Sequence, residues 1–328
     1  MESDMGNVSQ TWPRGHEWPT IADYMKFENE PMIDLFEATR QQYPVVQEFK
    51  VLSTNLISGD YPYVTSIPMA KVRDENKGLP NRKASIGLSY CTKQFTDASW
   101  AQDQKVAMSN PMGIAYANYI QAEASFVGLM QTQEAFMING NNDIGGILEF
   151  LDGRTVDLTD SYDGFIKMAT DAGKVFDIDD KPKKSAGSVK YTAILVNRKT
   201  VRLLAQFGGM KVGEVREIRL TDEDGDGYWG YAQNIVAYFG LLNGNKRGVG
   251  VIKAFHLTDE LISKTISRNF QIGEDPDLII VSREGRQSIR SSRKSYNDNG
   301  IPPAQVEYID DAKVVVSGFV KDELYETE

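Results

Sequence analysis

Apolar and polar positions change rhythm several times along this chain, and each rhythm predicts a different kind of element. From residue 1 to about residue 48 no long period is present: Trp12, Pro13, Gly15, Trp18 and Pro19 precede a short helical pattern from Met32 to Arg40, in which Met32, Leu35, Phe36 and Thr39 share a face. This stretch reads as an arm, and its aromatics need a surface to lie on, either the chain's own body or a neighbouring subunit. Between about Phe49 and Trp100 the rhythm becomes alternation, carried by Phe49, Val51 and Leu52, then Tyr61, Tyr63 and Val64, then Ile86, Leu88 and Tyr90. Breaks at Ser58–Asp60 and Asn76–Gly78 make it a long hairpin-like excursion, whose charged middle, Lys71 to Arg82, predicts a surface tip.

From Ala101 to Ile138 the chain is rich in Ala, Gln, Glu and Met and is interrupted only at Asn110, Pro111 and Gly113. Proline lacks a backbone donor and disfavours helix in the residue before it, so a short helix is expected to end there and a second to start at Pro111. Counted from Met112 to Ile138, the second would run roughly 40 Å. Tyr119, Phe126, Leu129 and Phe136 form one apolar stripe, and Tyr116, Ile120, Val127, Met130 and Met137 an adjoining one. After Asn139–Asn142 the pattern is mixed α/β. Tyr191–Val196 and Val201–Leu204 read as paired strands around a turn at Asn197–Lys199, with further strands at Ile235–Leu242, Val249–Ala254, Leu278–Val281 and Ala312–Ser317. Thr258 caps a helix whose buried face is Leu261, Ile262 and Ile266, and Ser282 caps another from Arg283 to about Lys294.

Composition narrows the function classes. The 328 residues can form one large or two ordinary domains, and 41% hydrophobic content suffices for a packed core. A net charge of −10 repels nucleic acid except where basic residues are locally concentrated. One cysteine, Cys91, rules out an intramolecular disulfide, and two histidines, His16 and His256, leave little material for imidazole metal clusters or histidine-based triads. The acidic start around Glu2 and Asp4 lacks a signal peptide's basic and apolar regions, and no apolar run approaches the roughly 18 residues of a membrane span. A soluble, non-secreted protein is expected.

Two clusters merit attention as sites. Asp222, Asp224, Asp226 and Gly227 have the spacing of the first half of an EF-hand loop, but Gln233 stands where the loop needs a bidentate glutamate, so a surface turn is the expectation and a cation site at those aspartates the weaker alternative. Arg283, Arg286, Arg290, Arg293 and Lys294 form a basic stripe along one helix, facing solvent, a partner's carboxylates or DNA phosphates. Phosphate-loop, dinucleotide and serine-elbow patterns are missing, so no catalytic residue and no cofactor is expected.

Three blocks of sequence, taken in order, resemble the major capsid proteins of tailed bacteriophages with the Hong Kong 97 (Johnson) fold. They are KQFTDASWAQDQKVA (93–107) running into a helix that ends AFMING (135–140); AFHLTDELISKTISRNF (254–270) followed by DPDLIIVSREGRQSIRSSRKSYNDNGIPPA (275–304); and VVVSGFVKDE (314–323). The resemblance implies an α+β fold with an N-terminal arm (1–48), an extended loop (49–100), a spine-helix region of the peripheral domain (101–140), and a mixed axial domain with returning peripheral strands (141–328). It also implies a structural protein of the virion, assembled in the host cytoplasm into hexamers and pentamers of an icosahedral or prolate head around packaged double-stranded DNA. Portal, scaffold and decoration proteins are the further partners it implies, with no membrane. Gly318 and Phe319 depart from the family's polar pair, and Thr155–Arg219 carries no resemblance of its own. The competing expectations are a nanocompartment shell holding protein cargo, and an acidic α/β enzyme, which would need a deep pocket of convergent ionisable residues.

Overall fold

A computed structural model describes residues 43–54, 56, 58–66, 85–141, 145–148, 151, 155–158, 175–178, 188–222, 224–243, 248–270, 275–294 and 306–324. Of the arm expected at 1–48, residues 1–42 lie outside the described residues, as does the tip expected at Lys71–Arg82.

In chain order, helix α1 (Val45–Glu48) precedes strand β1 (Val51–Ser53), strands β2 (Ser58–Ser66) and β3 (Ser85–Thr92), and the short strands β4 (Gln94–Asp97) and β5 (Trp100–Asp103). Helices α2 (Gln104–Met108) and α3 (Ile114–Asn139) follow, then β6 (Thr155–Leu158), β7 (Val175–Ile178), β8 (Val189–Val196), β9 (Val201–Val212), β10 (Arg216–Thr221), β11 (Gly227–Gln233), β12 (Ile235–Asn243) and β13 (Val249–Ala254). Helix α4 (Asp259–Asn269), β14 (Leu278–Val281), α5 (Arg283–Lys294), β15 (Tyr308–Ile309), β16 (Ala312–Val316) and β17 (Glu323–Leu324) complete the described elements.

The principal sheet has the order β15-β16-β14-β8-β13-β7-β6, with β17 also paired to β8. Both of its faces are covered at the centre. Ile194 and Val196 of β8 point into one core, which α3 also enters; Ala193 and Leu195 point into the other, built with Ile262 and Ile266 of α4 and Ile289 of α5. Coverage on both sides explains why β14 reads Leu-Ile-Ile-Val without a polar residue: every position is buried, each worth about 2 kcal/mol or more when withdrawn from water.

A second sheet, β1-β9-β12-β4, carries α3 on one face. Phe126, Leu129, Met130, Met137 and Ile138 pack there with Leu203, Ala205, Ala237 and Phe239. A third sheet, β10-β11-β5, leaves β10 as an open edge, and β2 and β3 pair only with each other in an antiparallel hairpin. The root of that hairpin is held tightly. A Cβ on Gly240 of β12 would come within 2.5 Å of the Thr92 carbonyl, and the buried Lys93 donates from Nζ to the Thr54 carbonyl at 2.5 Å across the two legs.

Two sequence expectations are corrected. The expected pair formed by Tyr191–Val196 and Val201–Leu204 does not form: β8 enters the principal sheet, whereas β9 pairs with β1 and β12 in the second. The turn between them is a corner. Asn197 is buried there, donating from Nδ2 to the Asp275 carbonyl (2.8 Å) and accepting at Oδ1 from the Lys199 amide (2.9 Å). The second correction concerns the long helix, which begins at Ile114 instead of Pro111, because Gly113 takes a left-handed φ of 93° and Pro111–Met112 form a turn closed by a Gly113 N–H to Asn110 carbonyl bond. Its 26 residues still span about 39 Å.

Candidate interaction surfaces and buried charges

Strand alternation normally turns apolar side chains toward a core. On β3 it does the reverse: Ile86, Leu88 and Tyr90 are 65–68% exposed, and only Cys91, at the strand's end, is buried against Leu204 and Leu242. A two-stranded ribbon has no second layer to cover its apolar face, so the stripe faces outward. The start of α3 repeats the feature. Tyr116 and Ile120 are exposed, together with Met112 in the preceding turn and Val106 and Met108 of α2, and the helix's burial is concentrated from Ala122 onward. Of the two stripes expected for this helix, only Phe126, Leu129, Met130 and Met137 are buried. Periodicity marks these residues as strand and helix positions; that their side chains are uncovered follows from sheet membership, which periodicity does not report.

The basic stripe divides in two. Arg283 and Arg290 are exposed, while Arg286 and Arg293 are half-buried. Arg293 is engaged within the fold, donating from Nε to Asp259 Oδ2 at 2.5 Å and from Nη2 to the Tyr308 carbonyl at 3.0 Å, and so joins α5 to α4 and β15. The caps expected for both helices are present: Thr258 Oγ1 accepts from the Leu261 amide, and Ser282 Oγ from the Gly285 amide at 2.8 Å.

The acidic turn closes the β10–β11 hairpin. Asp222 Oδ1 accepts from the amides of Asp224 (3.1 Å) and Asp226 (2.7 Å), and Gly225 supplies a left-handed φ of 89°. One carboxylate oxygen of Asp222 is thus satisfied by backbone. Among the described residues no three His, Cys, Asp or Glu side chains are grouped to hold a metal ion.

A group that sequence reading passed over lies at the buried end of α3. Glu134 is 1% exposed and accepts from the Val45 amide at 3.1 Å through Oε2 and from Ser317 Oγ at 2.6 Å through Oε1. Burial pushes its carboxyl up to about 7, against the opposing pull of those two hydrogen bonds. Its neighbour Gln133 donates to Thr96 Oγ1 at 2.6 Å, so adjacent positions of one helix tie down α1, β4 and the segment after β16. A signal was present in the sequence, since Glu123 and Glu134 are the only charged residues in the 26 of α3, and Glu134 falls between Met130 and Met137. On α1, Glu48 is paired with Arg198 (2.9 Å) and Lys313, and Arg198 also reaches Asp277 Oδ2 at 3.1 Å.

Two open clefts occur among the described residues. One, of about 530 Å³, is lined by Trp100, Lys211, Glu214, Arg216 and Gln233; the other, of about 770 Å³, by Tyr191, His256, Glu284 and Ser288. In the second, Tyr191 is raised above the ordinary phenol range by burial and then by Glu284 and Asp322. Among the described residues no helix is long and apolar enough to cross a membrane.

No protein-family profile and no curated protein matches the chain. Solved structures do. A chain of bacteriophage Epsilon15 superposes with a TM-score of 0.53 at 14% identity, covering 86% of this chain and 87% of that one. The bacteriophage JBD30 capsid aligns at 0.47 with 8% identity over 83% and 89% of the two chains, and the JBD30 procapsid at 0.43 with 11% identity over 88% and 97%. With most of both chains matched in the Epsilon15 superposition, this protein has the α+β phage-capsid fold that its sequence resemblance implied.

Proposed function

We propose that the chain is the major capsid protein of a tailed bacteriophage, a non-enzymatic shell subunit that self-assembles into the head enclosing double-stranded DNA. The observation that carries this reading is the outward apolar stripe Ile86, Leu88, Tyr90, borne on a hairpin that stands off a subunit sharing its fold with a phage chain. Exposed apolar surface on a slender ribbon is a liability for a monomer and an adhesive for an assembly. In a closed shell every copy donates the same hairpin to the next, so one uncovered surface becomes a repeated heterologous contact. Hexamers and pentamers are the proposed units, with portal, scaffold and decoration proteins as further partners, in a virion formed in the host cytoplasm.

Light scattering on the size-fractionated protein tests this reading. Five- or six-subunit species or larger shells are expected, and a strict monomer across salt and protein concentration would contradict it.

The DNA-facing part of the proposal rests on Arg283 and Arg290, the exposed members of the stripe. Reversing both charges (Arg283→Glu with Arg290→Glu) is expected to leave the fold intact, because neither side chain is buried, and to lower the salt dependence of DNA retention by a slope of about two, one for each lost phosphate contact. DNA retention measured across a salt series checks it; an unchanged slope assigns the stripe to solvent or to a protein partner.

A further inference from the structure

We infer that Glu134 is a proton-controlled latch, clamping the chain at residue 45 and the C-terminal segment at residue 317 to the end of the long helix and easing its hold when it ionises. The inference stands on the folded chain alone and does not depend on the shell reading. Three parts of the sequence converge on one carboxyl group. The Val45 amide opens α1; Ser317 follows β16; and Glu134 lies four residues from the last turn's buried Ile138. Both contacts are long-range, 89 and 183 residues apart in sequence, and they add to the Glu48–Lys313 pair and the core packing of Val45, Val46 and Phe49 that hold the same segments.

The charge environment makes ionisation unfavourable while the latch is shut. On α3 the other acid is Glu123, and no basic residue is present in the helix. On α1 the charged residue is Glu48, already paired with Arg198 and Lys313. On the strand leading to Ser317 it is Lys313, and beyond Ser317 come Lys321 and Asp322, the latter engaged by the Thr192 amide and Ser282 Oγ. No charged neighbour contributes to the upward displacement of Glu134, which burial produces. A neutral carboxyl suits the site, since one oxygen accepts from the Val45 amide and the other, once protonated, can donate its hydroxyl to Ser317 Oγ in place of accepting from it. An ionised one keeps two donors but has no counter-charge, and opening restores its hydration.

The sign follows from linkage. Glu134 binds its proton more tightly shut than open, so opening becomes easier as pH rises from the ordinary carboxylate range toward 7 and levels off above it. Hydrogen exchange on the full chain, read on peptides spanning residues 43–50 and 317–322 and corrected for intrinsic exchange, is the test. With the two end states at 4.5 and about 7, the opening equilibrium of both segments should rise together by about 20-fold between pH 5.5 and 7.5. Glu134→Gln, which keeps an acceptor for Val45 and a donor for Ser317, should give a flat profile. A flat wild-type profile, a Gln variant that follows the wild type, or segments that open independently would overturn the latch. Should the Gln variant fail to fold, carboxyl-selective NMR titration of the wild-type chain decides instead: a midpoint near 7 supports the latch and one in the ordinary carboxylate range overturns it.

Discussion

Leu88→Asp is expected to abolish particle formation while leaving the subunit folded. Leu88 is 65% exposed on β3 and flanked on the same face by Ile86 and Tyr90, so the fold loses almost no packing and thermal stability should stay within about 0.5 kcal/mol of wild type. Assembly is another matter. If the stripe is covered by a neighbour, each contact forfeits the roughly 2 kcal/mol of one buried leucine and must bury a carboxylate besides. Because a shell repeats the contact in every subunit, losses of that size multiply, and particle yield should fall at least tenfold. Melting temperature and particle counts by negative-stain microscopy, measured on the same preparation, check both halves.

Phe126→Ala is the opposite experiment. Phe126 is fully buried where α3 meets the β1-β9-β12-β4 sheet, in contact with the core that also holds Leu129 and Phe239. Emptying that volume should cost about 3–5 kcal/mol, enough to lower the melting temperature by several degrees at least and to remove assembly with it. The two substitutions therefore separate assembly from folding: one spares the melt and removes particles, whereas the other removes both. Thermal melts followed by circular dichroism supply the measurement.

Where an element's signal was local, the sequence was sufficient. Thr258 and Ser282 cap the helices expected of them, Leu261, Ile262 and Ile266 are buried as their spacing required, and β12, β13 and β14 lie within a residue or so of their apolar runs. Pairing is decided by distant segments and was not legible. The short link at Asn197 looked like a hairpin turn, yet β8 finds its partners at Val249–Ala254 and Leu278–Val281, and β9 finds β12 some thirty residues on. The start of α3 moved because a single glycine, Gly113, could take a left-handed φ that proline signals do not encode. β17, two residues long, has no periodicity to read.

The surfaces divide in the same way. The basic stripe was visible because arginines at helical spacing need no tertiary information, but Arg293's commitment to Asp259 and Tyr308 depends on how α4 and β15 pack. The β3 stripe was visible as a strand and invisible as a surface, since alternation cannot say whether a second layer exists. Glu134 carried a faint signal as an acid set between Met130 and Met137 of a helix with almost no charge, and its partners at residues 45 and 317 required the fold.

Cryo-electron microscopy of the largest species the purified chain forms shows whether the stripe is an assembly contact. Closed shells or five- and sixfold rings are expected, in which the β2–β3 hairpin of one subunit lies on its neighbour with Ile86, Leu88 and Tyr90 covered. Discrete monomers, or rings in which that stripe still faces solvent, would contradict it.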